Sequence, residues 1–157
     1  MKKLICGKDI DTIINDYSDM VTRLCLINLK NEDDAKDCFQ NVFLKLIHSK
    51  TEFHDLSHVK HWLIKVTINE CRNYYRLINR NIAIADLVVP IEDNHDLMLL
   101  PEVLKLPKKY KNVLYLYYYE GYKIFEIAQI LNKNENTIKS NLKRGRELLR
   151  RKIGDIL

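Results

Sequence analysis

A cluster of positive charge near the C-terminal end of the sequence is the feature that most directly suggests chemistry. Residues 136–152 contain seven lysines and arginines and a single acid, Glu147. A helix with this charge most often binds phosphate. In helical spacing Ile138, Leu142 and Leu149 share one face, which leaves the polar residues on the other. The residues predicted to point outward and to contact DNA are Lys139, Ser140, Lys143, Arg144 and Arg146.

The residues before this segment have the spacing of a helix-turn-helix motif. Residues 124–131 carry an apolar stripe that includes Ala128, whose small side chain lets a second helix cross close by. Asn132 is predicted at the turn, because asparagine tolerates the left-handed conformation. Asn134 is a suitable N-cap for the second helix, which in such a motif lies in the major groove of DNA. The alternative interpretation is an amphipathic helical hairpin whose basic face is only solvated.

Three histidines form the other group that suggests chemistry. His54, His58 and His61 recur at i, i+4 and i+7, a spacing that would put three imidazoles on one side of a helix and raises a zinc hypothesis. A pH-sensitive contact with DNA is a second interpretation. Apart from these histidines and Cys71, the sequence offers no nucleophile–base pair and no phosphate-binding loop. We therefore predict that the protein is not an enzyme and has no metal and no cofactor.

The elements that position these residues are predicted to be helices throughout. The chain has 157 residues, of which 46% are hydrophobic and 30% charged, as expected of a folded protein. No glycine or proline lies between Lys8 and Val89, and apolar residues recur there with the 3.6-residue period of a helix. The sequence predicts an all-α fold. The predicted helices span about residues 9–29, 33–48, 57–78, 97–106, 107–119, 122–131 and 134–152.

The positive charge of the chain is concentrated at one end. The net charge is +5 overall, but residues 1–80 carry +2, residues 81–107 carry −4 and residues 108–157 carry +7. The helical pattern lapses after residue 78, where a proline and several Asn and Asp residues favour a linker. We predict two small helical domains, residues 1–78 and 97–157, joined by a flexible linker, residues 79–96.

Secretion and membrane insertion are excluded by the sequence. No apolar run reaches the roughly 18–20 residues of a membrane span, and no apolar core follows the N-terminal lysines as in a secretory signal. The four cysteines show no CxxC spacing, and three of them lie in apolar helical patterns. We predict a cytoplasmic protein with reduced, buried thiols rather than a disulfide framework or a zinc ribbon.

These segments resemble, in the right order, the sigma-70 family of bacterial RNA polymerase sigma factors. The C-terminal segment EIAQILNKNENTIKSNLKRGRELLRRKI resembles region 4.2, and LPKKYKNVLYLYYYEGY resembles region 4.1. In the N-terminal half, DAKDCFQNVFLKLI resembles region 2.2 and WLIKVTINECRNYYR resembles regions 2.3 and 2.4. Because the likeness covers regions 2 and 4 only, the chain is identified as a member of the extracytoplasmic-function (ECF) type. Lys133, Asn136 and Gly145 depart from residues that are usual in the family.

The resemblance implies roles for particular residues. Region 2.2 of the family grips core RNA polymerase, regions 2.3 and 2.4 melt the −10 element of the promoter, and region 4.2 reads the −35 element. Trp62 matches the family tryptophan, but its place on an apolar stripe favours the core, and Tyr74 and Tyr75 fit either base stacking or packing. The polymerase-binding residues implied are Asp37, Gln40, Asn41 and Leu44, and the −10 residues implied are Phe53, Asn69, Arg72, Asn73 and Arg76.

The partners implied are core RNA polymerase, promoter DNA and an anti-sigma factor, with no small-molecule substrate. A competing hypothesis is a DNA-binding regulator whose N-terminal helices dimerise or sense a signal. That protein would bind duplex DNA as a dimer without polymerase. Binding to core polymerase separates the two hypotheses.

Overall fold

The computed structural model describes residues 3–78 and 100–154. The chain divides into two compact units, Met1–Val89 and Pro90–Leu157. Helices dominate the described part of both units, which confirms the all-α prediction, whereas the predicted linker at 79–96 lies outside the described residues. The elements are β1 (Leu4–Ile5), β2 (Lys8–Asp9), α1 (Ile10–Asn28), α2 (Glu32–His48), α3 (Leu56–Ile78), α4 (Leu100–Leu104), α5 (Lys108–Leu114), a π-helical turn (Tyr115–Tyr119), α6 (Ile124–Leu131) and α7 (Glu135–Gly154).

A short β-hairpin, which the sequence analysis does not predict, precedes α1. Strands β1 and β2 pair antiparallel through a two-residue turn in which Cys6 and Gly7 both have positive φ, at 51° and 81°. Tight hairpins favour such a turn because its twist matches that of the strands. Two-residue strands leave no alternating pattern to detect. The Lys3 ammonium then donates to the carbonyls of Leu46, Ile47 and Ser49, which ties this segment to the C-terminal end of α2.

Helices α1, α2 and α3 each pack against the other two and form the body of the first unit. Asp9 caps α1 by accepting from the backbone N–H of Thr12 at 2.8 Å, and Asn31 caps α2. Three acids follow in the first turn of α2, where they favour the positive end of the helix dipole. The core is aliphatic, and its largest fully buried side chains include Ile13, Leu24, Ile27, Leu46, Leu63 and Ile64.

Among the described residues, the cysteines of this unit form no disulfide. Cys25, Cys38 and Cys71 are buried, whereas Cys6 is exposed in the hairpin turn. Each buried cysteine comes from a different helix of the bundle, and the sulfurs of Cys38 and Cys71 lie 3.3 Å apart. Hydrogen bonds with the Cys25 and Cys71 thiols hold the pKa of Cys38 below its ordinary value. Hydrogen bonds with Cys38 and Cys71, together with burial, raise the pKa of Cys25.

The α-helices at the start of the second unit end earlier than predicted. Helix α4 ends at Leu104 rather than 106, since a residue before proline, here Pro107, avoids the helical conformation. The helix predicted over 107–119 is α only to Leu114 and continues as the π-helical turn. In this wider turn the backbone N–H of Glu120 donates to Tyr115 and the rings of Tyr115 and Tyr119 stack at 5.1 Å.

Helices α5 and α7 approach each other closely at Gly145. A Cβ at this position would lie 3.1 Å from Leu114 Cδ1 and 3.3 Å from Tyr110 Cβ. The glycine, which costs about 1 kcal/mol of helix propensity relative to alanine, therefore lets α5 lie directly against α7. This contact explains one departure from the family pattern. None of the described helices is long and apolar enough to cross a membrane.

Candidate nucleic-acid interface

The turn between α6 and α7 has the geometry that the helix-turn-helix pattern predicts. Asn132 ends α6 in the left-handed conformation, at φ 52° and ψ 49°. Asn134 accepts from the backbone N–H of Thr137 at 2.7 Å, which confirms it as the cap of α7. At the other end of α6, the Glu126 carboxylate accepts from the backbone N–H of Lys123 at 3.0 Å. Both ends of this short helix are therefore fixed by side chains or backbone geometry that the sequence specifies.

The packing face of α6 differs in part from the prediction. Ile127 and Ala128 are buried as expected, but the third buried residue is Ile130, while Ile124 and Leu131 are only half-buried. A helix of eight residues cannot bury a complete stripe against one partner. On α7, Ile138 and Leu142 are fully buried and Leu149 is half-buried. These residues anchor α7 and determine which of its side chains face solvent.

The basic face of α7 is exposed as predicted. Lys139, Ser140, Lys143, Arg144 and Arg146 are all exposed. Among the described residues, Lys139, Lys143 and Arg144 have no hydrogen-bond or ion-pair partner, while Arg146 donates to the hydroxyl of Tyr118 at 3.2 Å. Unpaired cations on a helix cost little in water and are available for phosphates or base edges.

A polar groove on the first unit collects most of the residues predicted to bind the −10 element. It has a volume of about 350 Å³ and is formed almost entirely by α3. Asn69, Asn73 and Arg76 follow one another at i, i+4 and i+7 and are all exposed, as is Arg72 beside them. Two amides and two guanidinium groups can hydrogen-bond base edges and phosphates, respectively.

Three further residues line this groove and were missed by the sequence analysis: Lys45, Val66 and Glu70. Lys45 on α2 forms an ion pair and hydrogen bond with Glu70 on α3. Glu70 directly follows Asn69 in the sequence, and this position next to a predicted residue could have indicated that it lines the groove. Lys45 comes from another helix, and only the packing of α2 against α3 places it there.

Phe53 lies in a different place from the groove residues. Phe53 is half-buried, and its ring lies in T-shaped contact with those of His58 and Trp62, with ring centroids 5.1 and 5.7 Å away. This aromatic cluster sits at the start of α3, while the groove lies toward the C-terminal part of the same helix. The structure therefore brings together four of the five predicted −10 residues and leaves Phe53 in a separate cluster.

The histidines do not converge as three metal ligands. Helix α3 begins at Leu56, so His54 precedes it, and the His54 backbone N–H donates to Nδ1 of His58 at 3.2 Å. The rings of His54 and His58 stack at 5.2 Å. Within the described residues, the one group of three side chains close enough to bind a metal is formed by Cys25, Cys38 and Cys71.

The polar face of α2 is the third surface. Asp37, Gln40, Asn41 and Leu44 are all exposed on it, and Leu44 retains 50% of its accessible area. The Tyr74 hydroxyl on α3 donates to Asp34 at 3.1 Å and to Asp37 at 3.3 Å. Burial raises the pKa of Tyr74 to about 12, and both carboxylates add to the shift, so the hydroxyl keeps its proton. Tyr74 thus holds Asp37 in place.

An exposed basic recognition helix, a polar groove and an exposed polar helix face define a helical protein of the helix-turn-helix DNA-binding class. Comparisons with known proteins make this more specific. The family described as Sigma-70 region 2 matches residues 13–81, and the family described as Sigma-70 region 4 matches residues 98–149. The chain belongs to the sigma-70 family of RNA polymerase sigma factors and to its ECF type. This family consists of transcription initiation factors rather than enzymes.

Individual relatives agree with this assignment. RNA polymerase sigma factor SigV of Bacillus subtilis is 30% identical over 145 residues, covering 88% of this chain and 87% of the relative. The ECF sigma factor SigW of the same organism is 27% identical, covering 92% of this chain and 88% of the relative.

Solved structures share the fold. The sigma factor RpoE of Bartonella quintana, crystallised with the anti-sigma factor NepR, matches with a TM-score of 0.78 at 19% identity, covering 90% of this chain and 94% of that one. CnrH, solved in complex with the cytosolic domain of CnrY, matches with a TM-score of 0.66 at 17% identity, covering 93% and 88%.

Proposed function

We propose that this protein is an ECF sigma factor that binds core RNA polymerase, recognises duplex DNA at the −35 element and opens the −10 element. The observation that carries the proposal is the exposed face of α7, the second helix of a helix-turn-helix. It presents three cations, Lys139, Lys143 and Arg144, that have no partner among the described residues. Family membership supplies the context in which that face meets promoter DNA.

The −35 contacts are assigned to α7. In a helix-turn-helix, the N-terminal half of the second helix lies at the base edges and the rest follows the backbone. Lys139 and Ser140 lie in the second turn of α7, which begins at Glu135, and Lys143 and Arg144 lie one turn later. Arg144 can bind a guanine edge through two hydrogen bonds, whereas lysine neutralises phosphate as a point charge. Arg146, held by Tyr118, extends the same face.

The −10 contacts are assigned to the groove on α3. Melting a promoter requires a site for unstacked bases together with cations for the strand that carries them. Asn69 and Asn73 supply amide donors and acceptors, and Arg72 and Arg76 supply the charge. Phe53 offers an aromatic surface at the other end of α3, where a base displaced from the stack can pack.

Core polymerase is assigned to the polar face of α2. The exposed Leu44 adds an apolar side chain next to its polar neighbours Asp37, Gln40 and Asn41, and protein interfaces combine apolar and polar residues in this way. Tyr74 fixes one of these neighbours before any partner arrives. A preordered side chain loses less conformational entropy on binding.

The proposed domain limits are 1–78 for region 2, 79–96 for the linker and 97–157 for region 4. A linker of this length extends to at most roughly 60 Å at about 3.3 Å per residue. One helical turn of DNA is about 34 Å. The two domains can therefore contact elements between one and two turns apart on the same promoter.

The proposed regulator is an anti-sigma factor. The support is that the two solved structures described above were each captured with a second protein, named as an anti-sigma factor for RpoE. We place the protein in the cytoplasm, where its promoters are.

Run-off transcription tests the proposed function. Purified protein is mixed with core RNA polymerase and genomic fragments, and the transcript starts are mapped. We expect new starts that require the protein and that share one upstream sequence at −35 and another at −10. Transcripts no different from those of core polymerase alone would contradict the proposal. A Lys123→Ala variant, which removes an exposed cation outside the recognition face, serves as the matched control for later variants.

A further inference from the structure

The thiols of Cys25, Cys38 and Cys71 meet at one point in the core of the first unit. Their sulfur atoms all lie within 4.8 Å of one another, and each residue is at most 1% exposed. Buried cysteines usually pack as small apolar side chains. Here α1, α2 and α3 each contribute one sulfur to the same place, which packing alone does not require.

The spacing of the sulfurs is close to that of a metal-bound set. Metal–sulfur bonds of about 2.3 Å at a tetrahedral centre place bound sulfurs roughly 3.8 Å apart. Cys38 and Cys71 are already at 3.3 Å, and the widest pair is at no more than 4.8 Å. An ion bonded to all three sulfurs therefore needs only small side-chain movements and no rearrangement of the helices.

Coordination number and charge select the kind of ion. In the described part of the chain, no histidine, carboxylate or fourth cysteine joins the group, so a four-coordinate ion such as Zn²⁺ would lack a protein ligand. Three thiolates around a divalent ion also leave one negative charge in an apolar core, which is costly. A trivalent, three-coordinate metalloid leaves none.

We propose that Cys25, Cys38 and Cys71 form a binding site for a thiophilic trivalent metalloid of the arsenite class. With arsenous acid, As(OH)₃, three As–O bonds break and three As–S bonds form, while the three thiol protons leave with the hydroxides as three waters. Arsenic stays trivalent and nothing is oxidised. The product is neutral and links α1, α2 and α3, so occupancy stabilises the folded unit by mass action.

Native mass spectrometry of the reduced full-length protein, after incubation with sodium arsenite and desalting, tests this site. We expect one adduct whose mass equals one arsenic atom less three protons. A thermal melt of the same sample should show a higher Tm than the untreated protein. The Cys6→Ala variant is the matched control, because it removes the exposed thiol and should form the adduct like the parent.

The variants Cys25→Ala, Cys38→Ala and Cys71→Ala should each lose the three-proton adduct. If one of these variants fails to fold, as judged by circular dichroism, the test of the proposal is the adduct mass and the Tm shift measured for the parent and for Cys6→Ala. Absence of an adduct in the parent, an adduct that loses fewer than three protons, or an adduct lost in Cys6→Ala would overturn the proposal. Displacement of arsenic by an equimolar amount of Zn²⁺ would overturn the assignment to a trivalent ion.

Discussion

The two units hold their candidate binding residues in different ways. In the first unit, Tyr74 hydrogen-bonds Asp37 and Lys45 pairs with Glu70, so one residue of the polar face and two residues of the groove have partners within the protein. In the second unit, Lys139 and Arg144 project from α7 with no partner among the described residues. The first arrangement suits the recognition of particular shapes, such as a partner protein or an unstacked base. The second suits a polyanion, whose phosphates supply the missing partners.

The largest expected effect concerns the basic face of α7. We predict that the double variant Lys139→Ala/Arg144→Ala abolishes −35 recognition and leaves binding to core polymerase unchanged. Each lost base contact costs about 1–3 kcal/mol, and only on the matching sequence. Each lost phosphate contact lowers the salt slope by about 0.9. Filter binding of the holoenzyme at several salt concentrations measures both, with Lys123→Ala as the control. Normal transcription from the native promoter would show that the recognition helix is wrongly assigned.

The second-largest expected effect concerns the polar face of α2. Reversing the charge at Asp37 together with Gln40→Leu is predicted to weaken core-polymerase binding by about 2 kcal/mol, the scale of a central interface residue. Helicity should not change, since both side chains are exposed. Co-purification with polymerase and transcription activity provide the measurement. If co-purification and transcription activity are both retained, the polar face of α2 is not the polymerase-binding surface.

Asn69→Ala separates the functions of the two units. It is predicted to slow promoter opening while closed-complex binding is retained, because Asn69 lies in the groove of the first unit and not on α7. Loss of hydrogen bonds to a base is worth about 1–1.5 kcal/mol. Permanganate reactivity of thymines at −10 measures opening, and Asn15→Ala, which changes an exposed residue of α1 outside the groove, is the control. If Asn69→Ala no longer forms the closed complex, the assignment of promoter opening to the groove and of duplex binding to α7 is contradicted.

Tyr74→Phe tests whether internal bonds matter for the first unit. The hydroxyl that joins Asp34 and Asp37 to α3 is removed, but the ring remains. We expect a loss of about 1 kcal/mol in the free energy of unfolding, the usual value of such a bond, and slightly weaker polymerase binding. Urea unfolding compared with the parent gives the first quantity. An unchanged midpoint and unchanged binding would show that the tyrosine does not order Asp37.

Gly145→Ala carries the smallest expected effect. Helix propensity favours alanine by about 1 kcal/mol, but the new Cβ would meet Leu114 and Tyr110 at 3.1–3.3 Å. Overpacking costs about 1–3 kcal/mol, and the low end applies because the flexible end of the Leu114 side chain needs to move by only a few tenths of an ångström. We therefore expect a net loss below about 1 kcal/mol. Thermal unfolding measures it. A clear gain in stability would show that α5 is not held at this distance.

Much of the fold and of α7 was predictable because the signals lie within single elements. The periodicity of Ile138 and Leu142 places the basic residues outside, and Asn132 and Asn134 specify the turn and the cap. The four predicted −10 residues in the groove all lie on α3 within eight positions, Asn69 to Arg76, so one helix brings them together. Because these residues share one helix, their spacing along the chain determines how they are arranged on its surface.

What could not be predicted depends on contacts between elements. Lys45 reaches the groove, and the three buried cysteines converge, only because of how α1, α2 and α3 are packed. Gly145 is unfavourable for an isolated helix and makes sense only against Leu114. The π-helical turn follows a helical pattern in sequence, and its wider backbone is recognisable only from the bond between Glu120 and Tyr115.

A premelted promoter tests the central claim most directly, namely that α7 recognises duplex DNA while the groove on α3 acts in opening. Transcription by the holoenzyme is compared on two templates, the native promoter and the same promoter with mismatched bases at −10. We predict that the premelted template restores activity to Asn69→Ala but not to Lys139→Ala/Arg144→Ala. Equal rescue of both variants, or rescue of the α7 variant alone, would contradict the account.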